Sequence, residues 1–133
     1  MDITARIQFP AATMGWVALG GGLGSALRWA LSDLFAFPVG IWAVNLLGSF
    51  CLGLLIAWTA ARAQHPSWVL PALGSGFCGG FTTFSTAIFI LVDQAVTHQI
   101  LAFLIVMIVM PMGCALGALA GHYSVRILPK AIQ

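Results

Sequence analysis

The stretch Gly74-Ser75-Gly76-Phe77-Cys78-Gly79-Gly80-Phe81-Thr82-Thr83-Phe84-Ser85-Thr86 sits inside an otherwise apolar run from Trp68 to Val92. A run of 25 residues can cross the hydrocarbon layer as a helix. Four glycines (Gly74, Gly76, Gly79, Gly80) followed by the hydroxyls of Thr82, Thr83, Ser85 and Thr86 do not favour a straight, lipid-facing one. Glycine permits non-helical dihedrals, and irregular backbone at membrane depth is tolerated only where protein buries it or water lines it. The reading is a span broken near Gly79 to Thr82. Carbonyls freed by such a break could coordinate a cation, and amides starting the next helical piece could face an anion. Composition leaves a plain kinked packing helix equally open.

Outward from this stretch lie three more apolar runs, Ala11 to Leu31, Val39 to Ala61 and Ile100 to Gly121, each near the ~20 residues a membrane helix needs. The joints, Ser32 to Pro38, Arg62 to Ser67 and Asp93 to Gln99, are short enough to force neighbouring helices antiparallel. The expected fold is therefore an all-α membrane protein, one domain over residues 1–133 with four transmembrane helices and a break in the third. Of the 133 residues 61% are hydrophobic and 6% charged, and the mean hydropathy is +1.05. Soluble domains carry roughly 25% charged residues, so this composition excludes a soluble enzyme. A formal charge of +2 offers no basic stripe for nucleic acid. The opening MDITARIQFP holds an acid and a proline and is not read as a signal peptide.

Arg6, Arg62, Arg126 and Lys130 fall on one side of the expected bilayer, opposite Asp33, Asp93 and His98. The positive-inside rule then sets both termini in the cytoplasm of a multi-pass cell-membrane protein. Trp42, Trp58, Trp68 and Tyr123 stand near span ends as interfacial anchors. Gly20 and Gly24, Ser49 and Gly53, and Gly113, Gly117 and Gly121 form small-residue faces that let helices approach. Faces on several helices of so small a chain suggest packing between subunits. Cys51, Cys78 and Cys114 are isolated, lack zinc-ligand spacing and are read as apolar fillers without a disulfide. Arg28, near the end of the first span, would cost ~2.5 to 3.5 kcal/mol at the bilayer centre, so it either snorkels or faces a wet cavity, and its position favours snorkelling. Asn45 lies deep enough that its amide must find partners; anion binding and helix–helix hydrogen bonding both fit.

Gly21-Gly22-Leu23-Gly24-Ser25-Ala26-Leu27-Arg28-Trp29, Val44-Asn45-Leu46-Leu47-Gly48 and Gly76 to Thr86 resemble the motif segments of the Fluc/CrcB fluoride channels. The resemblance covers the first three spans, and the third segment is the specific one. It implies a passive, fluoride-selective channel of two antiparallel subunits, with two pores at their interface and a structural Na+ at the centre. By position, Gly79 and Thr82 would hold Na+ through backbone carbonyls. Asn45 would be the pore amide, Phe84 the first of two phenylalanines presenting positively polarised ring edges to the anion, and Thr83, Ser85 and Thr86 further groups of the anion path. Arg28 matches the family's arginine at the end of the first span. Fluoride is small and strongly hydrated, so fixed donors must replace its water within a narrow path.

The sequence also departs from that family. The second phenylalanine would stand at Ala87, and the fourth span, Ile100 to Gly121, has no Ser, Thr, Asn or Gln. Phe89 does not substitute, since five residues from Phe84 is about 140° around a helix.

Three functions remain to be compared. The first is a subunit of a fluoride channel exporting the ion from the cytoplasm, alone or as half of a heterodimer. A small multidrug-type, proton-coupled transporter is disfavoured, because Asp2, Asp33 and Asp93 all lie outside the spans. The third is a non-conducting partner subunit. The expected partners are fluoride, lipid and a second copy or homologous subunit of opposite orientation. The four-to-zero loop bias of basic residues points to the heterodimer.

Overall fold

The computed structural model describes residues 10–35, 37–62 and 64–127, so Asp2, Arg6 and Lys130 lie outside the described residues. Helix α1 runs Ala11–Leu34 and α2 Val39–Ala61. A widely wound π-helical segment, Leu70–Cys78, continues into a single turn, α3, at Gly79–Phe81. After an interruption come α4, Ser85–Val96, and α5, Ile100–Ile127. The structure is all-helical, as the runs of apolar sequence indicate.

Three helical stretches are long and apolar enough to cross a membrane: Val39–Ala61, Leu70–Val96 and Ile100–Val125. Helix α1, with 24 residues, is about 36 Å long, which is ample, but it is less apolar than the expectation of four equivalent spans implies. Gly20, Gly21, Gly22, Gly24, Arg28 and Asp33 dilute it.

Glycine decides how these helices meet. Gly53 lies against the Ala118 carbonyl and Gly121 against the Phe50 carbonyl, while Leu46 covers Gly117, so α2 and α5 pack backbone to backbone. On the other side Gly20 meets the Ala72 carbonyl and Gly24 the Phe77 carbonyl. The α1 contacts repeat every four residues and those of the opposing segment every five. Wider winding, with its i→i+5 hydrogen bonds, brings a five-residue repeat into register with a four-residue one. Most of these glycines thus serve packing within the chain. Gly20, Gly24, Gly53, Gly117 and Gly121 are consumed within the chain, and only Gly113 of those faces looks onto open space.

A small apolar core of Ile41, Ile90 and Val106, flanked by Trp42, Leu91 and Met110, ties α2, α4 and α5 together. At the other end the rings of Trp16 and Trp68 lie 5.5 Å apart, joining the start of α1 to the approach to the π-helical segment. Arg62 stands over the Trp58 ring at 4.3 Å, a cation–π contact.

Candidate functional site

The interruption runs from Thr82 to Phe84, meeting the expected Gly79 to Thr82 at Thr82 and continuing beyond it. Gly79 and Gly80 remain helical, and Thr82 is extended at φ −86°, ψ 160°. The reason is that the glycines of this stretch are used for close approach. Gly76 meets the Val17 carbonyl and Gly80 the Gly21 carbonyl. Hydrogen bonds from other helices set the break instead.

Asn45 on α2 makes the decisive pair. Its Nδ2 donates to the Thr83 carbonyl at 3.0 Å, and the Thr83 N–H donates to Asn45 Oδ1 at 2.7 Å. Both residues are buried. A regular helix would direct the Thr83 N–H to the Gly79 carbonyl; here the amide of Asn45 takes it. The Thr86 N–H likewise donates to Thr83 Oγ1 at 3.3 Å rather than to the Thr82 carbonyl. Thr83 Oγ1 also donates to Thr86 Oγ1 at 3.0 Å and lies 3.3 Å from Ser85 Oγ. Thr83, one residue before the N-cap Phe84, thereby takes up a first-turn amide of α4 with its side chain while its backbone is held by Asn45. The Thr82 hydroxyl donates back to the Cys78 carbonyl at 2.9 Å.

Two α1 side chains finish the arrangement. Ser25 Oγ donates to the Gly80 carbonyl at 3.4 Å and Arg28 Nη1 to the Thr82 carbonyl at 2.9 Å. The expectation that Arg28 snorkels is corrected: the close approach of α1 across Gly24 brings the guanidinium to the break, where a carbonyl without its helical donor accepts from it.

Beside the break opens a cleft of about 380 Å³. Asn45, Gly79, Thr82, Thr83 and Phe84 lie on one wall, and Val106, Met107, Met110, Pro111 and Cys114 of α5 on the other. Five of the eight residues singled out from sequence therefore meet in one place. Ser85, Thr86 and Arg28 do not line it. Phe84 is 79% exposed. Ala87, where the second phenylalanine would stand, is on the cleft wall and buried, Phe89 is exposed elsewhere, and Phe81 is buried in a stack with Phe77 at 5.7 Å. Ser25 and Pro111 carried no role in the sequence reading. Pro111 was the detectable signal, since a proline inside an apolar helix withdraws an N–H from the Met107 carbonyl, and Met107 faces the cleft.

The donor set suits a hard cation that prefers oxygen. Gly79 and Thr82 both face the cleft, and the amides that a regular helix would give their carbonyls go to side chains. Among the described residues, nothing beyond its own helix and chain neighbours approaches within 4 Å of where a Gly79 Cβ would stand. Two carbonyls are fewer ligands than a hard cation takes, so the rest would have to come from outside this chain.

Residues 15–122 match the model of the family described as CrcB-like protein, Camphor Resistance (CrcB). The chain belongs to this family. CrcB relatives include the fluoride-specific ion channel FluC 1 of Leifsonia xyli subsp. xyli, 38% identical over 125 residues, 86% of this chain and 90% of the relative. FluC of Serratia proteamaculans is 53% identical over 77 residues, and FluC 2 of Cutibacterium acnes 46% over 84. These two matches cover 53% and 56% of this chain, and the chain spans only 59% and 66% of those relatives' lengths. The CrcB membership agrees with the resemblance carried by the glycine-rich and threonine-rich segments.

Proposed function

We propose that this chain is a subunit of a passive, fluoride-selective channel in the cell membrane, with no enzymatic step. The observation that carries the reading is the cleft: Asn45, Thr83 and Phe84 stand on one wall at a break in a membrane helix, in a member of a family whose relatives are named fluoride-specific ion channels. Helix α1 is the first of four spans, and both termini face the cytoplasm. Asn45 has a second amide N–H beyond the one given to the Thr83 carbonyl, and this donor is offered to the anion. The exposed Phe84 ring presents its positive edge. Thr83, Ser85 and Thr86 form a hydroxyl cluster that fixes Thr83 and, through Ser85 and Thr86, extends toward the anion path.

Gly79 and Thr82 would hold a structural Na+ through their carbonyls. When bound, the ion supplies a fixed positive charge that ties two broken helices together; a second subunit of opposite orientation provides the remaining oxygens. The partner is a homologous subunit rather than a second copy. An antiparallel homodimer would need half of all copies inserted with Arg6, Arg62, Arg126 and Lys130 on the outer side, against the positive-inside rule. The apolar α5 wall and the alanine at position 87 fit the same reading, because a partner can complete one working pore.

Fluoride efflux from liposomes tests this, first with the purified chain alone and then with a homologous subunit of opposite charge bias. Efflux is expected only from the pair. Full fluoride flux from the chain alone defeats the heterodimer, as does equal labelling of an introduced terminal cysteine from both membrane sides. Absence of flux from every pairing leaves the non-conducting subunit as the better reading.

A further inference from the structure

Arg28 is half-buried within the bundle, and Nη1 reaches the Thr82 carbonyl at 2.9 Å. That oxygen is relieved of its helical donor, since the Thr86 N–H goes to Thr83 Oγ1. It is also one of the two oxygens proposed above for sodium. A carbonyl offers two lone-pair directions. A guanidinium nitrogen on one and a metal ion on the other stand about 4.5 Å apart, given ordinary hydrogen-bond and metal–oxygen lengths. Repulsion between unit charges at that distance amounts to roughly fivefold in affinity in a water-like medium and some hundreds-fold at an effective dielectric of about 20. The two cations cannot share this oxygen without cost.

We infer that Arg28 is a positioning residue that holds the Thr82 carbonyl from within the chain, and that Arg28 and sodium oppose each other at this oxygen. The inference rests on the sodium reading and concerns what holds the break from within the chain. Arg28 does not act alone. Ser25, three residues earlier on the same helix face, donates to the Gly80 carbonyl at 3.4 Å, and Asn45 clamps Thr83 from α2. Two side chains, Arg28 and Asn45, thus hold Thr82 and Thr83 of the interruption, and Ser25 holds the last helical turn before it. Part of the binding energy of sodium is spent against the guanidinium.

The test titrates sodium chloride, at constant ionic strength with N-methylglucamine chloride, on the full chain co-reconstituted in lipid nanodiscs with the homologous subunit of opposite orientation, reading thermal midpoint and the fraction of paired subunits. Arg28→Gln keeps an N–H donor and removes the charge; Arg28→Lys keeps the charge. The glutamine variant is expected to reach half-response at a sodium concentration at least about fivefold lower than wild type, while melting earlier without sodium. The lysine variant is expected to stay near wild type. A sodium response in Arg28→Gln equal to or weaker than that of wild type overturns the inference. No sodium response in the wild-type protein overturns the sodium reading itself, and this inference with it. Should Arg28→Gln not fold, wild-type protein carrying ¹⁵N-arginine and ¹³C′-threonine gives the answer by solid-state NMR. The Arg28–Thr82 dipolar coupling should weaken as sodium is added, and a coupling unchanged at saturating sodium overturns the proposal.

Discussion

The two walls of the cleft are made by opposite means. On the wall of the break, the polar side chains of Asn45, Thr82 and Thr83 each have a partner within the chain, and two of those bonds link Asn45 to Thr83 across 38 residues of sequence. The facing wall belongs to α5, a helix of 28 residues whose most apolar window is only 11% buried inside the chain. Its contribution is Val106, Met107, Met110, Pro111 and Cys114, without a polar side chain among Ile100 to Gly121 able to meet an ion by a strong hydrogen bond. The difference shows that a polar surface at membrane depth must be over-determined by its own chain, because each unpaired group there is expensive. An apolar surface needs no such fixing and can be left for lipid or another subunit to cover.

Asn45→Asp strikes the determined wall hardest. It exchanges the donor facing the Thr83 carbonyl for a carboxylate and sets a negative charge beside the anion path, so fluoride efflux should fall by at least about 100-fold. Helix content by circular dichroism should persist, with about 1–3 kcal/mol of stability lost through the broken clamp. Undiminished flux would remove Asn45 from the path.

Gly24→Ala acts one step back from that wall. The new Cβ would meet the Phe77 carbonyl and stand 2.8 Å from the Phe81 amide nitrogen, so α1 must move away and Arg28 with it. A loss of about 1–3 kcal/mol is expected from overpacking, measured by unfolding in mixed micelles; an unchanged stability would show that α1 is free to slide. Gly79→Ala sharpens the comparison from the other direction. Among the described residues nothing beyond its own helix meets its Cβ within 4 Å, so the isolated chain should gain about 0.5–1 kcal/mol from helix preference, yet lose sodium-dependent pairing with the homologous subunit on analytical ultracentrifugation. A dimer that forms normally would separate Gly79 from the interface. Thr82→Ser should be the mildest, since the hydroxyl bond to the Cys78 carbonyl survives and only the methyl packed near Gly48 is lost. Flux within about fourfold of wild type is expected, because one buried methyl group is worth roughly 0.8 kcal/mol.

The apolar runs were legible from length and hydropathy: α2 begins and ends where its run of sequence does, Val39 to Ala61. The chemistry of the break was legible in kind, from glycines and hydroxyls together, but its place was not. Glycine composition drew the expected interruption toward Gly79, whereas the structure uses Gly76 and Gly80 for contact with α1 and breaks where Asn45 captures the Thr83 amide. A hydrogen bond spanning 38 residues has no local signature. The same holds for Arg28, whose position at a span end reads as snorkelling until α1 is seen to lie against the third span rather than beside its own hairpin partner.

The pairing of α1 with the π-helical segment also orders events during biosynthesis. Arg28 leaves the ribosome 54 residues ahead of Thr82, and at about 5–20 residues per second that interval lasts roughly 3 to 11 seconds. Throughout it, the guanidinium has been synthesised but its acceptor has not. During that interval the only local relief for an arginine near the end of the first segment is the headgroup boundary, and the carbonyl that holds it in the folded chain is supplied last.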